Sequence, residues 1–181
     1  MTQCGSYGNW NGQFIYPSYI ALDSFSNAYV VDYHTVNVQK FTSTGVFLTK
    51  WGNSGTGNGQ FLYPDGIAVD TSDNIYVVDG QRSDVQKFTS TGIYLTKWGG
   101  YGTGDGEFNK PSCGIACDSS GIVFVADVYN NRIQEFTLTG TYINQWGNFG
   151  SGSLIQADYL ALSPSGKIYV LDQNTVKIFG P

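Results

Sequence analysis

The chain has 181 residues, with nine Lys plus Arg against fourteen Asp plus Glu and a net charge of −5. That length buries a substantial core; the composition marks neither disorder nor collagen, and no apolar run is long enough for a transmembrane helix. Charged residues are only 13% of the chain, so solubility rests on Asn, Ser, Thr, Gln and Tyr, a balance commoner outside cells than inside, and the acidic sign argues against nucleic acid, whose phosphates need clustered cations.

Met1-Thr-Gln-Cys4 has no basic head with an apolar run behind it, so no signal peptide is visible. Residues 1–13 read instead as the tail of a repeat, because Gly5 to Phe14 copies the sense of Gly52 to Phe61 and Thr2-Gln-Cys-Gly5 falls under Thr49-Lys-Trp-Gly52. From Phe14 onward the landmarks recur. A step of 47 residues takes Phe14, Pro17, Asp23, Asp32, Phe41, Gly45 and Trp51 to Phe61, Pro64, Asp70, Asp79, Phe88, Gly92 and Trp98. A step of 48 then reaches Asp118, Asp127, Phe136, Gly140 and Trp146, and one of 45 takes Asp127 to Asp172, before a shorter loop puts Phe179 under Phe136. Copies one and two are identical at 28 of 47 positions, the mark of recent duplication.

Each copy carries four short apolar runs, clearest at Ile67-Ala-Val-Asp70, Ile75-Tyr-Val-Val-Asp79, Val85-Gln-Lys-Phe88 and Ile93 to Trp98. Such runs, bounded by Gly, Asn, Asp and Ser, read as strands, and four strands per unit of roughly 45 residues is the period of a propeller blade. The expected fold is therefore all-β, a β-propeller of four-stranded antiparallel blades with four repeats, the last blade completed by the N-terminal strand. One domain covers 1–181, with repeats at approximately 14–60, 61–107, 108–154 and 155–181 plus 1–13. The second strand of each copy is apolar on both faces, as stacked blades require, whereas Gln39, Lys40, Gln86 and Lys87 in the third belong nearer the rim. Trp51, Trp98 and Trp146 end the fourth strand and cap the seams between blades. The glycine-rich loops 52–60, 99–107 and 147–153 carry the chain from rim back to axis.

Tyr-Pro-Asp-Gly-Ile-Ala-Val-Asp at 63–70, Asn-Ile-Tyr-Val-Val-Asp at 74–79 and Asp127-Val-Tyr-Asn-Asn-Arg-Ile-Gln-Glu-Phe136 resemble the NHL-repeat family. That resemblance covers nearly the whole chain and implies a propeller usually of six blades, which would need about 270 residues. Three arrangements follow: a four-bladed ring closed by residues 2–5, a fragment of a longer array, or several chains sharing a ring or stacking through open blade edges. Some NHL propellers bind RNA through a basic face, but Lys40, Lys50, Lys87 and Lys97 repeat with the blades and form no single patch. His34 is the only histidine, which excludes the multi-histidine zinc site of the amidating-lyase relatives of this fold.

Asp32, Asp79, Asp127 and Asp172 close the second strand of every copy and read as architectural: their carboxylates can accept hydrogen bonds from the following turn or pair with Arg82 and Arg132. A site is expected where the copies disagree, just before the innermost strand, at Ser18, Tyr19, Asp65, Cys113, Asp158 and Tyr159 facing the channel mouth. Asp65 and Asp158 are the candidates for a cation there. No phosphate loop is present, so no cofactor is expected. Cys113 and Cys117 lie about 13 Å apart along an extended strand, too far for a disulfide. The function expected is a non-catalytic binding or assembly module, extracellular, with a protein or glycan as partner and Tyr7, Tyr16, Tyr63, Tyr101 and Tyr129 as stacking surfaces. The competing expectation is a metal-assisted lyase or lactonase at the channel mouth.

Overall fold

The computed structural model describes residues 4–147 and 153–180. A short parallel pair, β1 (Ser6–Tyr7) with β2 (Gln13–Phe14), precedes four antiparallel sheets. The first blade runs β3 (Pro17–Leu22), β4 (Ala28–Asp32), β5 (Asn37–Phe41) and β6 (Phe47–Trp51); the second β7 (Pro64–Val69), β8 (Ile75–Asp79), β9 (Asp84–Phe88) and β10 (Tyr94–Gly99). In the third, β11 (Ile115–Cys117), β12 (Ile122–Asp127), β13 (Arg132–Thr137) and β14 (Tyr142–Trp146) follow in the same order, and the fourth has β15 (Ala157–Leu162), β16 (Ile168–Asp172) and β17 (Thr175–Phe179). A single 3-10 turn, Val128–Asn130, is the only helical element among the described residues. The chain is thus an all-β propeller of four blades.

The alternation along the second strands builds the core. Tyr29, Val31 and Val38 pack on Ile67, Ile75, Val77 and Phe88; Ala68, Tyr76, Val78 and Val85 pack on Ile115, Val123, Val125 and Phe136; Phe124, Ala126 and Ile133 pack on Leu154, Ala157, Ile168 and Val170. Each Val, Leu, Ile or Phe among them contributes about 1.5–3 kcal/mol by its burial. At the rim, Trp51 lies on the hairpin glycine Gly92 of the next blade and Trp98 on Gly140, where a Cβ would meet the rings at 2.6 and 2.5 Å. Trp146 packs against Phe179 at 4.4 Å between centroids.

The repeated aspartates bind the connections. Asp79 accepts from the backbone N–H groups of Leu62 (2.6 Å), Tyr63 (3.0 Å), Gln81 (3.2 Å) and Arg82 (3.0 Å), and Asp32 does the same for Ile15, Tyr16, His34 and Thr35. Arg132 pairs with Asp127 at 2.7 Å, while Arg82 pairs with Asp84 at 2.8 Å rather than with Asp79. Gln39 and Gln86 are buried, not at the rim: Gln86 holds the crossover loop of its own blade, giving its Nε2–H to Gln60 O and accepting from Gly59 N–H. Gln39 does likewise for Gln13 and Gly12.

The N-terminal strand does not complete the fourth blade among the described residues. β1 closes on β2 within its own crossover loop, as Ser54 bridges to Phe61 and Tyr101 to Phe108 in later repeats. Cys4 lies on Gly45 of the first blade, where a Cβ on the glycine would come within 2.9 Å of it, the place Trp51 takes on Gly92. Residues 1–3 of the expected closing strand and 148–152 of the third crossover loop lie outside the described residues.

Asp70 accepts from Asn74 and Tyr76 at the turn between β7 and β8, and Asp23 from Asn27 and Tyr29 between β3 and β4. Burial pushes both carboxyls up, but these hydrogen bonds outweigh it and hold them below the usual 3.8. Asp172 is held down likewise, burial being overcome by Lys177 and the N–H groups of Gln156 and Ile155. A carboxyl depressed in the folded state contributes stability that is present above 3.8 and lost as pH falls through its folded value. Melts at stepwise lower pH are therefore expected to show constant stability down to about the ordinary carboxylate range and a steep loss below it.

Candidate functional site

The residues singled out at the channel mouth sit on a shared backbone irregularity. In β3, β7 and β15 the register slips between Pro17 and Tyr19, Pro64 and Gly66, and Ala157 and Tyr159, so Ser18, Asp65 and Asp158 are each the extra residue of a β-bulge. A bulge re-aims the side chain it carries. Cys113 occupies the corresponding place in the third blade, just before β11.

These residues meet in pairs. The rings of Tyr19 and Tyr159 stack at 5.7 Å and 29°, joining the innermost strands of the first and fourth blades. Cys113 gives its thiol proton to Asp65 Oδ1 at 3.7 Å, and Ser112 Oγ donates to the carbonyl of Asp158 at 3.3 Å. Ser18 Oγ donates to Val31 O at 3.4 Å within its own blade. Asp65 and Asp158 are engaged with different partners, Asp158 with Gln156 Nε2 at 3.1 Å, and among the described residues no three His, Cys, Asp or Glu groups gather as metal ligands.

A cleft opens beside Asp65 between the second and third blades, about 440 Å³ in volume, lined by Tyr63, Asp65, Gln81, Tyr101, Asn109 and Lys110. Gly80, which stands where the first repeat has Tyr33, also lines it, and the neighbouring backbone approaches closely there: a Cβ would lie 2.9 Å from Pro111 O. Tyr33 itself packs on Tyr63 at 4.2 Å between centroids and Tyr16 on Tyr33 at 5.8 Å, so an aromatic row leads into the cleft from the first blade. On the far side Lys110 Nζ stands 5.2 Å over the ring of Tyr129. Tyr7, Tyr16, Tyr101 and Tyr129 are exposed and Tyr63 is half-buried.

Burial pushes the Asp65 carboxyl up, with the Cys113 thiol and Lys110 acting against it and Asp79 with it. Burial, then the Asp65 charge, raises the Cys113 thiol to about 12. Tyr63 is pushed up to about 12, first by its hydrogen bond with Tyr33 and then by burial. Behind Asp65, the Cys113 thiol is therefore protonated at neutral pH and a poor nucleophile, and the cleft itself presents two phenols and the neutral amides of Gln81 and Asn109. It offers aromatic faces and hydrogen-bonding groups and one cation. His34 is exposed and its backbone N–H serves Asp32.

A family model described as a 6-bladed beta-propeller matches residues 16–88. No curated protein matches the chain. Among solved structures it is similar to a streptogramin B lyase (15% identity, 88% of this chain and 52% of that chain, TM-score 0.66). It is also similar to virginiamycin B lyase from Staphylococcus aureus (12%, 90% and 55%, TM-score 0.63) and to a propeller in a nidogen/laminin complex (18%, 88% and 59%, TM-score 0.68). At these identities the likeness concerns the fold, and the chain spans a little over half the length of each of these structures.

Proposed function

We propose that this chain is an NHL-type propeller that works outside the cell as a non-catalytic binding module, taking a protein or a glycan at the cleft between its second and third blades. Lyases and a nidogen/laminin complex share its fold, so the fold does not choose between catalysis and binding; the cleft's chemistry favours binding. The observation that carries the reading is the pairing of Tyr63 and Tyr101 with Gln81, Asn109 and Lys110 around one open cleft. Aromatic faces with a few placed polar groups are what a sugar ring or a peptide side chain stacks on. The raised Cys113 thiol and buried Asp65 leave no activated nucleophile among them. The absence of any helix among the described residues long and apolar enough to cross a membrane is compatible with this reading, and the low charge content supports an extracellular setting.

Glycan and peptide arrays probed with the wild type and with Tyr63→Ala and Tyr101→Ala test it. Loss of a stacking ring is worth about 0.5–1.5 kcal/mol beyond its area, so each variant is expected to bind about tenfold more weakly, Tyr101→Ala with an unchanged melting temperature and Tyr63→Ala with a lower one because its ring also packs on Tyr33. Ligands that bind both variants as well as the wild type would overturn the reading.

A further inference from the structure

Both charges at the cleft are exceptions to the repeat. Six of its lining residues belong to the second copy, and of these only Tyr63 matches its counterpart 47 positions earlier, although copies one and two agree at 28 of 47 positions. The exchanges bring an acid and a base to one place: Asp65 stands where the first copy has Ser18, and Lys110 where the second has Tyr63. Neither is fully paired among the described residues. Asp65 is half-buried; its Oδ1 accepts from the Cys113 thiol, while its Oδ2 accepts no hydrogen bond among the described residues. Lys110 is exposed, and the one polar contact of its ammonium among the described residues is the Tyr129 hydroxyl at 3.5 Å. No ion pair joins the two among the described residues. Burial first, and then the Asp79 charge, pushes the Asp65 carboxyl up, while the Cys113 thiol and Lys110 act against them.

Resting on the reading of the cleft as a binding site, we propose that its ligand is a peptide segment carrying both signs: a lysine or arginine side chain directed at Asp65 and flanked by Tyr63 and Tyr101, and an acidic side chain that meets Lys110 at the rim. A half-buried carboxylate beside an aromatic ring draws an ammonium or guanidinium group by its charge and by the ring face together. The Asp65 charge reaches the Tyr63 hydroxyl, so carboxylate and ring are neighbours. Burial makes the ionised form of Asp65 costly, and a ligand cation set against it offsets that cost. Charge also chooses between the ligand classes. A neutral sugar desolvates both charges and compensates neither. An acidic glycan answers Lys110 but brings its carboxylates toward Asp65, and a chain of amino sugars answers Asp65 but repels Lys110. A peptide carries the two signs on neighbouring residues. The cleft, about 440 Å³, has the size of a ligand pocket and gives room for a long side chain.

A library of displayed random peptides and a glycan array, both screened with the whole chain, test this, with Asp65→Asn, Lys110→Gln and Tyr101→Ala as variants. The selected peptides are expected to place a Lys or Arg within a few residues of an Asp or Glu. Asp65→Asn should lose the preference for the base and Lys110→Gln that for the acid, each binding the selected peptides about tenfold more weakly, and the wild-type affinity should fall as salt is raised. Lys110 is exposed, so Lys110→Gln keeps the fold and the test stands even if Asp65→Asn disturbs it. Glycans of any charge, or peptides lacking either sign, whose binding is lost with Tyr101→Ala overturn the two-signed peptide and leave the binding reading standing. Ligands indifferent to all three variants, or no ligand from either screen, overturn both.

Discussion

Replacing Asp79 by Ala is expected to lower stability by about 4 kcal/mol, because four backbone N–H groups lose their acceptor together and a buried donor left unsatisfied costs about 1–3 kcal/mol. Leu62 and Tyr63 enter the second blade and Gln81 and Arg82 leave its second strand; nothing else in the site replaces the carboxylate that ties the two segments together. Against a typical stability of about 5–15 kcal/mol, the loss brings the chain close to unfolding at room temperature. Asp79→Asn keeps one carbonyl acceptor but turns an amide toward donors, so it is expected to fall between the wild type and Asp79→Ala. The functional consequence comes through Tyr63, whose backbone the carboxylate holds, and binding at the cleft should weaken in step with stability. Asp172→Ala, in the terminal blade and with two backbone donors plus Lys177 to lose, should cost less. Urea melts of the three variants give the order directly.

Gly140→Ala is expected to cost about 2–5 kcal/mol. At φ +87 the residue sits in the left-handed region, where an L side chain costs roughly 1–2 kcal/mol. The added Cβ would also stand 2.5 Å from the Trp98 ring, and displacing a well-packed ring adds about 1–3 kcal/mol. Trp98 contacts Phe136 at 5.7 Å and Tyr76 at 6.0 Å, so its displacement opens the seam between the second and third blades. Gly166 has nearly the same backbone, φ +82, with nothing near its absent Cβ. Gly166→Ala therefore measures the backbone cost alone, and the difference between the two variants, read from thermal melts, is the seam.

Much of this was legible in the chain because repetition separates architecture from exception. The recurrence of Asp32, Asp79, Asp127 and Asp172 at the end of each second strand pointed to one shared role, and the hydrogen bonds supply it. Strands apolar on both faces, such as Ile75 to Val78, foretold stacked blades. What stayed hidden depends on register. A bulge is one extra residue in a ladder, and nothing in Pro64-Asp65-Gly66 reveals that Asp65 is unpaired. Gln39 and Gln86 looked like rim residues because polarity in a strand normally means water; here the water is replaced by the carbonyl and N–H of a crossover loop. Comparison of the copies would have drawn attention to one residue of the cleft lining, Gly80, which stands where the first copy has Tyr33. The N-terminal tail reads as the end of an outer strand, and Cys4 keeps that place, lying on Gly45 as Trp51 lies on Gly92, while residues 1–3 fall outside the described residues.

Hydrogen exchange read by mass spectrometry tests most directly the claim that the blades stack face to face and that the fourth is the least covered of them. Backbone amides of β8, β9 and β12, covered on both faces, should exchange slowest, and those of β17, whose residues are the most exposed, should exchange fastest of all the third strands. Protection of β17 equal to that of β5 and β9 would mean that the fourth blade is covered as fully as the others, and the account of its stacking would be wrong.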